Sequence, residues 1–185
     1  TELYGITFVP RPELRGHTAD ADVYEVVNPD GTPLGLFIMD FWARPTKDGG
    51  AWMNSLVVQS DRYGERPVVT NNCNYPPSVT TISWDGVITM FHEFGHALHG
   101  LFAATRYPSR SGTATPRDFV EFPSQVNEHW AWQPDRVLPL ELLDKLTAAE
   151  RFGQGYATLE ASAAALLDQS WHQASLGELP TSGED

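Results

Sequence analysis

"FHEFGHALHG", residues 91–100, places three histidines and one glutamate in ten residues of an otherwise apolar run. The spacing around it is helical. Ser83 can cap a helix whose apolar residues Trp84, Val87, Ile88, Phe91, Leu98 and Leu101 follow a 3.6-residue period, with Gly100 near its end. On such a helix, residues four apart lie about 6 Å from one another on the same side, so the imidazoles of His92 and His96 can converge on one ion. Glu93 then points to the flank of that ion. This is the pattern H-E-x-x-H, in which the glutamate takes a proton from water at a metal. His99 sits about 10 Å along the axis from His92, too far to share the ion, and is expected to support the ligands or the packing. The competing reading is a structural helix, packed through Phe91 and Leu98, that carries the motif by chance.

A catalytic metal of this kind needs a third protein ligand and an open position, and the segment downstream offers candidates. "TPRD", residues 115–118, offers a Thr cap, a Pro at the first helical position and an acid in the first turn. A second helix is therefore expected from about Pro116, kinked at Pro123. Asp118, Glu121, Gln125 and Glu128 would form one polar stripe along it, among Phe119, Val120, Phe122, Val126 and Trp130. Such a stripe is either a solvated face or a polar face turned toward the histidines. "TAAE", residues 147–150, reads as a capping box opening a third, long helix that runs to about Ala174 despite Gly153 and Gly155.

Upstream, the first eighty residues read as strands and turns. "DVYEVV" (22–27) and "LGLFIMDF" (34–41) flank the turn-forming "NPDGTP" and are expected to form a β-hairpin; "AWMNSLVV" (51–58) and "RPVVTN" (66–71) are further strands. The expected fold is therefore α+β, with N-terminal antiparallel hairpins in a small sheet, then helices that carry the histidine motif. Residues 1–185 read as a single segment: a β-rich part over 1–80, a helical metal-binding part over 81–175 and a flexible tail, "GELPTSGED", over 176–185.

Composition narrows the function. The 24 acidic residues against 12 basic ones leave a formal charge of −12 over 185 residues, with no basic cluster, which argues against nucleic acid and anionic membranes as partners. No stretch approaches the roughly 20 apolar residues of a membrane span. The single cysteine, Cys73, cannot form an internal disulfide and reads as a small buried hydrophobe; a reducing, cytoplasmic location is expected. His129 and His172, each beside a tryptophan, read as packing or surface residues, and "HWAW" (129–132) as core. The chain opens at "TELYGITF" and is expected to be an internal segment of a longer protein.

"FHEFGHALHGLF" followed by "SGTATPRDFVEFPSQVNEHW" resembles the M3 family of zinc metallopeptidases. "LFIMDFWARPTKDGGAWM", "PVVTNNCNYPPS" and "ASAAALLDQSWH" are most similar to its peptidyl-dipeptidase branch. The resemblance implies that one Zn²⁺ per chain is held by His92, His96 and Glu121, which lies 25 residues after His96. It also implies that Glu93 is the general base and later the proton donor, and that the substrates are short peptides from which C-terminal dipeptides are released. By the same likeness to zinc peptidases, a strand near "GGAWM" (49–53) pairs with the substrate backbone; the other reading of that stretch is a flexible turn. The family's tyrosine- and histidine-bearing segment, which stabilises the tetrahedral intermediate, would lie beyond Asp185. The remainder of a parent chain is thus an expected partner. The alternative is a noncatalytic fragment that binds zinc or peptide and is inactive without that segment.

Overall fold

A computed structural model describes residues 2–133 and 138–175. They fall into two compact units, Thr1–Gln133 and Pro134–Asp185. The first unit is built on five strands, β1 (Thr7–Pro10), β2 (Asp22–Val27), β3 (Pro33–Trp42), β4 (Trp52–Val57) and β5 (Val68–Tyr75), in the order β1-β2-β3-β5-β4. The β2–β3 hairpin forms as its turn chemistry requires. Asp30 accepts from the Thr32 amide at 2.9 Å, and Gly31 takes φ 83° between the strands.

The sheet is mixed, where the sequence reading expects antiparallel hairpins. β3 and β5 run parallel, and β4 pairs antiparallel with the far side of β5. Burial explains the order. Five consecutive residues of β5, Val69 to Cys73, are buried, so this strand is covered on both faces and takes an inner position. β4 alternates between half-buried and exposed residues and takes the edge.

One long helix, α1 (Trp84–Leu101), crosses this sheet, and the Ser83 side chain caps it by accepting from the Gly86 amide. Ala97, Leu98 and Leu101 of α1 close over Ile6, Val26, Phe37 and Val69 as the main core. Each fully buried Val, Leu, Ile or Phe here contributes roughly 1.5–3 kcal/mol. The α+β class expected from the sequence is the one observed.

Two helical expectations change. The second helix, α2, spans Phe122–Glu128 rather than starting near Pro116, and residues 117–121 form turns. Pro123 lies in its first turn, where its missing N–H is one that the helix would leave unpaired anyway, so it starts the helix instead of kinking it. The second unit holds α3 (Leu140–Glu150) and α4 (Gln154–Gln173) in place of one helix from 147. "TAAE" closes α3, and the break falls at Gly153, whose φ of 77° is left-handed. The tail expected over 176–185 lies outside the described residues. No helix among the described residues is long and apolar enough to cross a membrane.

Candidate metal centre

His92 and His96 lie one helical turn apart on α1, with ring centroids 5.0 Å apart and planes at 82°. Glu121, immediately before α2, brings Oε2 to 3.1 Å from Nε2 of each histidine. One ligand atom from each of the three residues lies within 4.8 Å of the other two. Three donors of hard and borderline type thus converge on one point, and Glu121 stays half-exposed, so water reaches that point. The donor set and its spacing fit a zinc ion with an open position.

The surroundings hold the donors in ligand form. Glu128 Oε1 lies 2.6 Å from His92 Nδ1, the kind of carboxylate partner that orients a ligating imidazole with Nε2 toward the shared point. Burial pushes His96 toward the neutral imidazole, although the Glu121 carboxylate opposes the shift. Burial would raise the Glu121 carboxyl, but the Ser124 hydroxyl and the two imidazoles bring it below the ordinary range. Ser124 is fully buried, 3.0 Å from Glu121 Oε2 and 2.8 Å from the Glu121 carbonyl oxygen. Glu93, beside His92, is buried, and its Oε2 has no hydrogen-bond partner among the described residues. Burial raises its carboxyl above the ordinary value, with His92 opposing and Glu121 adding to the rise. Such an unpartnered, proton-hungry carboxylate is chemically suited to take a proton from a small molecule.

Of the polar stripe, Glu128 alone reaches a histidine in this way, whereas Asp118 and Gln125 are exposed. Because 118 lies in the turn ahead of α2, the stripe is not one helical face. His99 is half-buried one turn beyond His96, its ring 6.3 Å from that of Phe119. His129 and His172 are exposed, and Cys73 is buried with its thiol pushed up by burial. In "HWAW", Ala131 is fully buried and Trp132 packs on Trp84 with ring centroids 4.9 Å apart. Gly49 and Gly50 form the turn entering β4, and Asn74 donates to the carbonyls of Asp48 and Gly50 at 2.7 and 2.8 Å.

Three positioning residues escape the sequence reading. Asn127 donates to the Phe91 carbonyl at 2.6 Å, which ties α2 to the middle of α1, and Ser124 braces Glu121 at the start of α2. Gly95 lets the helices approach that closely: a Cβ there would lie 2.6 Å from Ser124 Cα. A glycine inside a helix costs about 1 kcal/mol against alanine, and that cost was the available signal for close backbone contact.

Residues 1–182 match the sequence model of Peptidase family M3. The chain belongs to peptidase family M3. This M3 chain is 47% identical to the dipeptidyl carboxypeptidase of Salmonella typhimurium over 187 residues, covering 92% of the chain and 28% of that relative. It is 46% identical to the Escherichia coli dipeptidyl carboxypeptidase over the same shares. With oligopeptidase A of Escherichia coli the identity is 35% over 170 residues, covering 81% of the chain and 25% of the relative. The M3 chain therefore spans under a third of the length of the relatives it matches.

Proposed function

We propose that this chain carries the metal centre of a zinc-dependent peptidase that cleaves short oligopeptides and releases C-terminal dipeptides in the cytoplasm. The observation that carries the reading is the convergence of His92, His96 and Glu121 donor atoms within 4.8 Å, beside a buried glutamate. These three residues would hold one Zn²⁺. When bound, the ion supplies Lewis-acid polarisation of the scissile carbonyl and lowers the pKa of water toward ~7. Glu93 accepts the proton of the attacking water and returns it to the leaving amine. Glu128 keeps His92 in the tautomer that presents Nε2, and Ser124 holds Glu121 in register. The outer edge of β4, the last strand of the sheet among the described residues, is the place beyond the Gly49–Gly50 turn for an extended peptide to pair by backbone hydrogen bonds. Residues 1–80 supply that sheet and residues 81–175 the ligand-bearing helices of a catalytic domain belonging to a longer chain.

The test joins elemental analysis with cleavage. The native protein should retain one zinc per chain and the His96→Ala protein should lose it; equal zinc in both would refute the ligand set. Fluorogenic peptides and mass spectrometry of the products should show dipeptide release by a longer polypeptide containing these residues. Zinc retention without cleavage by the 185-residue chain alone, combined with cleavage by the longer one, would assign the alternative role to the isolated chain.

A further inference from the structure

Two loops that lie far apart in the sequence carry four of the chain's 12 basic residues and pair in the fold. Residues 61–66, between β4 and β5, hold Arg62 and Arg66; residues 105–110, after α1, hold Arg106 and Arg110. The Asp61 and Arg62 amides donate to the carbonyls of Thr105 and Arg106 at 3.0 and 3.2 Å. Buried side chains fix this joint. Gln59 accepts from the Thr105 amide at 2.9 Å, and Ser60, fully buried, donates to the Arg106 carbonyl at 3.1 Å.

The exposed side of the joint is an array of arginine and tyrosine. Two guanidinium groups lie over the Tyr107 ring, Arg62 at 5.9 Å and Arg106 at 5.6 Å from its centroid, and Arg62 also stands 5.6 Å from the Tyr63 centroid. Stacking uses the face of a guanidinium and leaves its N–H edge free for a carboxylate. Among the described residues no carboxylate pairs with these arginines; the ion pairs of arginine and lysine are those of Arg11, Arg44, Lys47 and Lys145. Of the two acids on the same loops, Asp61 accepts from Gln59 Nε2 at 2.8 Å and Glu65 is exposed. In a chain of formal charge −12, cations gathered on one ring without a carboxylate mark a place for an anion from outside.

The position selects the anion. Arg62 follows Val57, the end of β4, by five residues, at most about 17 Å of extended chain. A peptide paired along the outer edge of β4 and running on past Val57 can therefore bring a side-chain carboxylate to the array.

We infer that Arg62 and Arg106, held by Tyr107, form a specificity site that selects peptides carrying an acidic residue beyond the segment paired with β4, an inference that rests on the peptide-pairing role proposed above for that strand.

Fluorescence anisotropy with the 185-residue chain tests it. The probes are two dye-labelled, Thr-rich peptides of sixteen residues, enough for the six of β4 and five beyond either end, one with two Glu at each end and the other with Gln in their place. The overall charge of the chain works against the Glu peptide, so a preference for it has to come from a local site. The native protein should bind the Glu peptide about 5-fold more tightly than its Gln twin. The preference should vanish in about 1 M NaCl, where charges are screened within about 3 Å. An Arg62→Gln, Arg106→Gln double variant should lose it and still bind the Gln twin as the native protein does, whereas Arg15→Gln, which removes an exposed charge on the β1–β2 loop, should retain it. Equal affinity for the two peptides, tighter binding of the Gln twin, or an unchanged preference in the double variant would each overturn the inference. A single-stranded oligonucleotide of the same charge that binds the array more tightly than the Glu peptide would also overturn it, by assigning the array to another partner. Failure of both peptides to bind would remove the pairing role of β4 itself, whereas binding without a charge preference would remove the specificity site alone.

Discussion

Replacing Gly95 with alanine tests how the two ligand-bearing helices are held together. The added Cβ would meet Ser124 Cα at 2.6 Å, Asn127 Cβ at 2.9 Å and the Pro123 carbonyl oxygen at 2.9 Å. Backbone atoms cannot turn aside as a flexible side chain can. The 2.6 Å contact must open by about 0.8 Å to reach the 3.4 Å of ordinary van der Waals contact, and α2 must carry that movement. Overpacking of this kind costs about 1–3 kcal/mol, and alanine returns about 1 kcal/mol in helix propensity, so the fold should lose only about 0–2 kcal/mol. The centre is less tolerant. Glu121 immediately precedes α2, and a ligand set accepts displacements of only about 0.2 Å. Zinc affinity, measured by chelator competition, should therefore fall about 10- to 100-fold while circular dichroism stays native. A Gly95→Ala protein that binds zinc within two-fold of the native value would refute the claim that this contact positions Glu121.

Glu128→Ala should weaken zinc binding about 10- to 100-fold through the loss of the His92 Nδ1 partner, and Glu128→Gln should restore part of it; chelator competition reads both. In a longer polypeptide, Glu93→Gln should keep the metal but lower peptide cleavage by at least ~10²-fold, because an amide cannot accept the proton; turnover near the native rate would reassign Glu93. Acid stability depends on Asp40, fully buried on β3. Burial would raise its carboxyl, but hydrogen bonds from Arg44, Lys47 and His17 bring it down to about 2, against 3.8 for a free aspartate. The unfolded chain therefore binds this proton first as the pH falls, so the contribution is complete above about pH 4 and is lost toward pH 2. It amounts to about 2 kcal/mol, and urea melts at pH 5 and pH 2 should show that loss in the native protein but not in Asp40→Asn.

What was legible in the sequence was local. Ser83 ahead of a helical apolar period announced α1, and "NPDGTP" between two apolar runs announced the β2–β3 hairpin, because caps and tight turns are satisfied by residues within a few positions. The start of α2 was misplaced because "TPRD" is also a good turn: the Phe119 and Val120 amides bond to the Pro116 carbonyl at 3.0 and 3.2 Å, and no helix follows until Phe122. β1 was missed since four residues carry too little periodicity, and β1 gains its place only by pairing with β2.

The sequence by itself determined that His92, Glu93 and His96 would share a helix, with the two imidazoles on one side and the glutamate beside them. The 3.6-residue turn enforces that arrangement wherever the helix packs. Only the tertiary structure decided that Glu121 Oε2 stands 3.1 Å from both histidines, since that depends on how closely α2 approaches at Gly95 and on Ser124 and Asn127 across the contact. It also decided that β5 lies parallel between β3 and β4, and that Asp40, 23 residues from His17, collects three basic side chains in the interior. These outcomes share one cause: distant segments are brought together by burying apolar surface, which is nondirectional, so spacing along the chain does not reveal which polar groups meet.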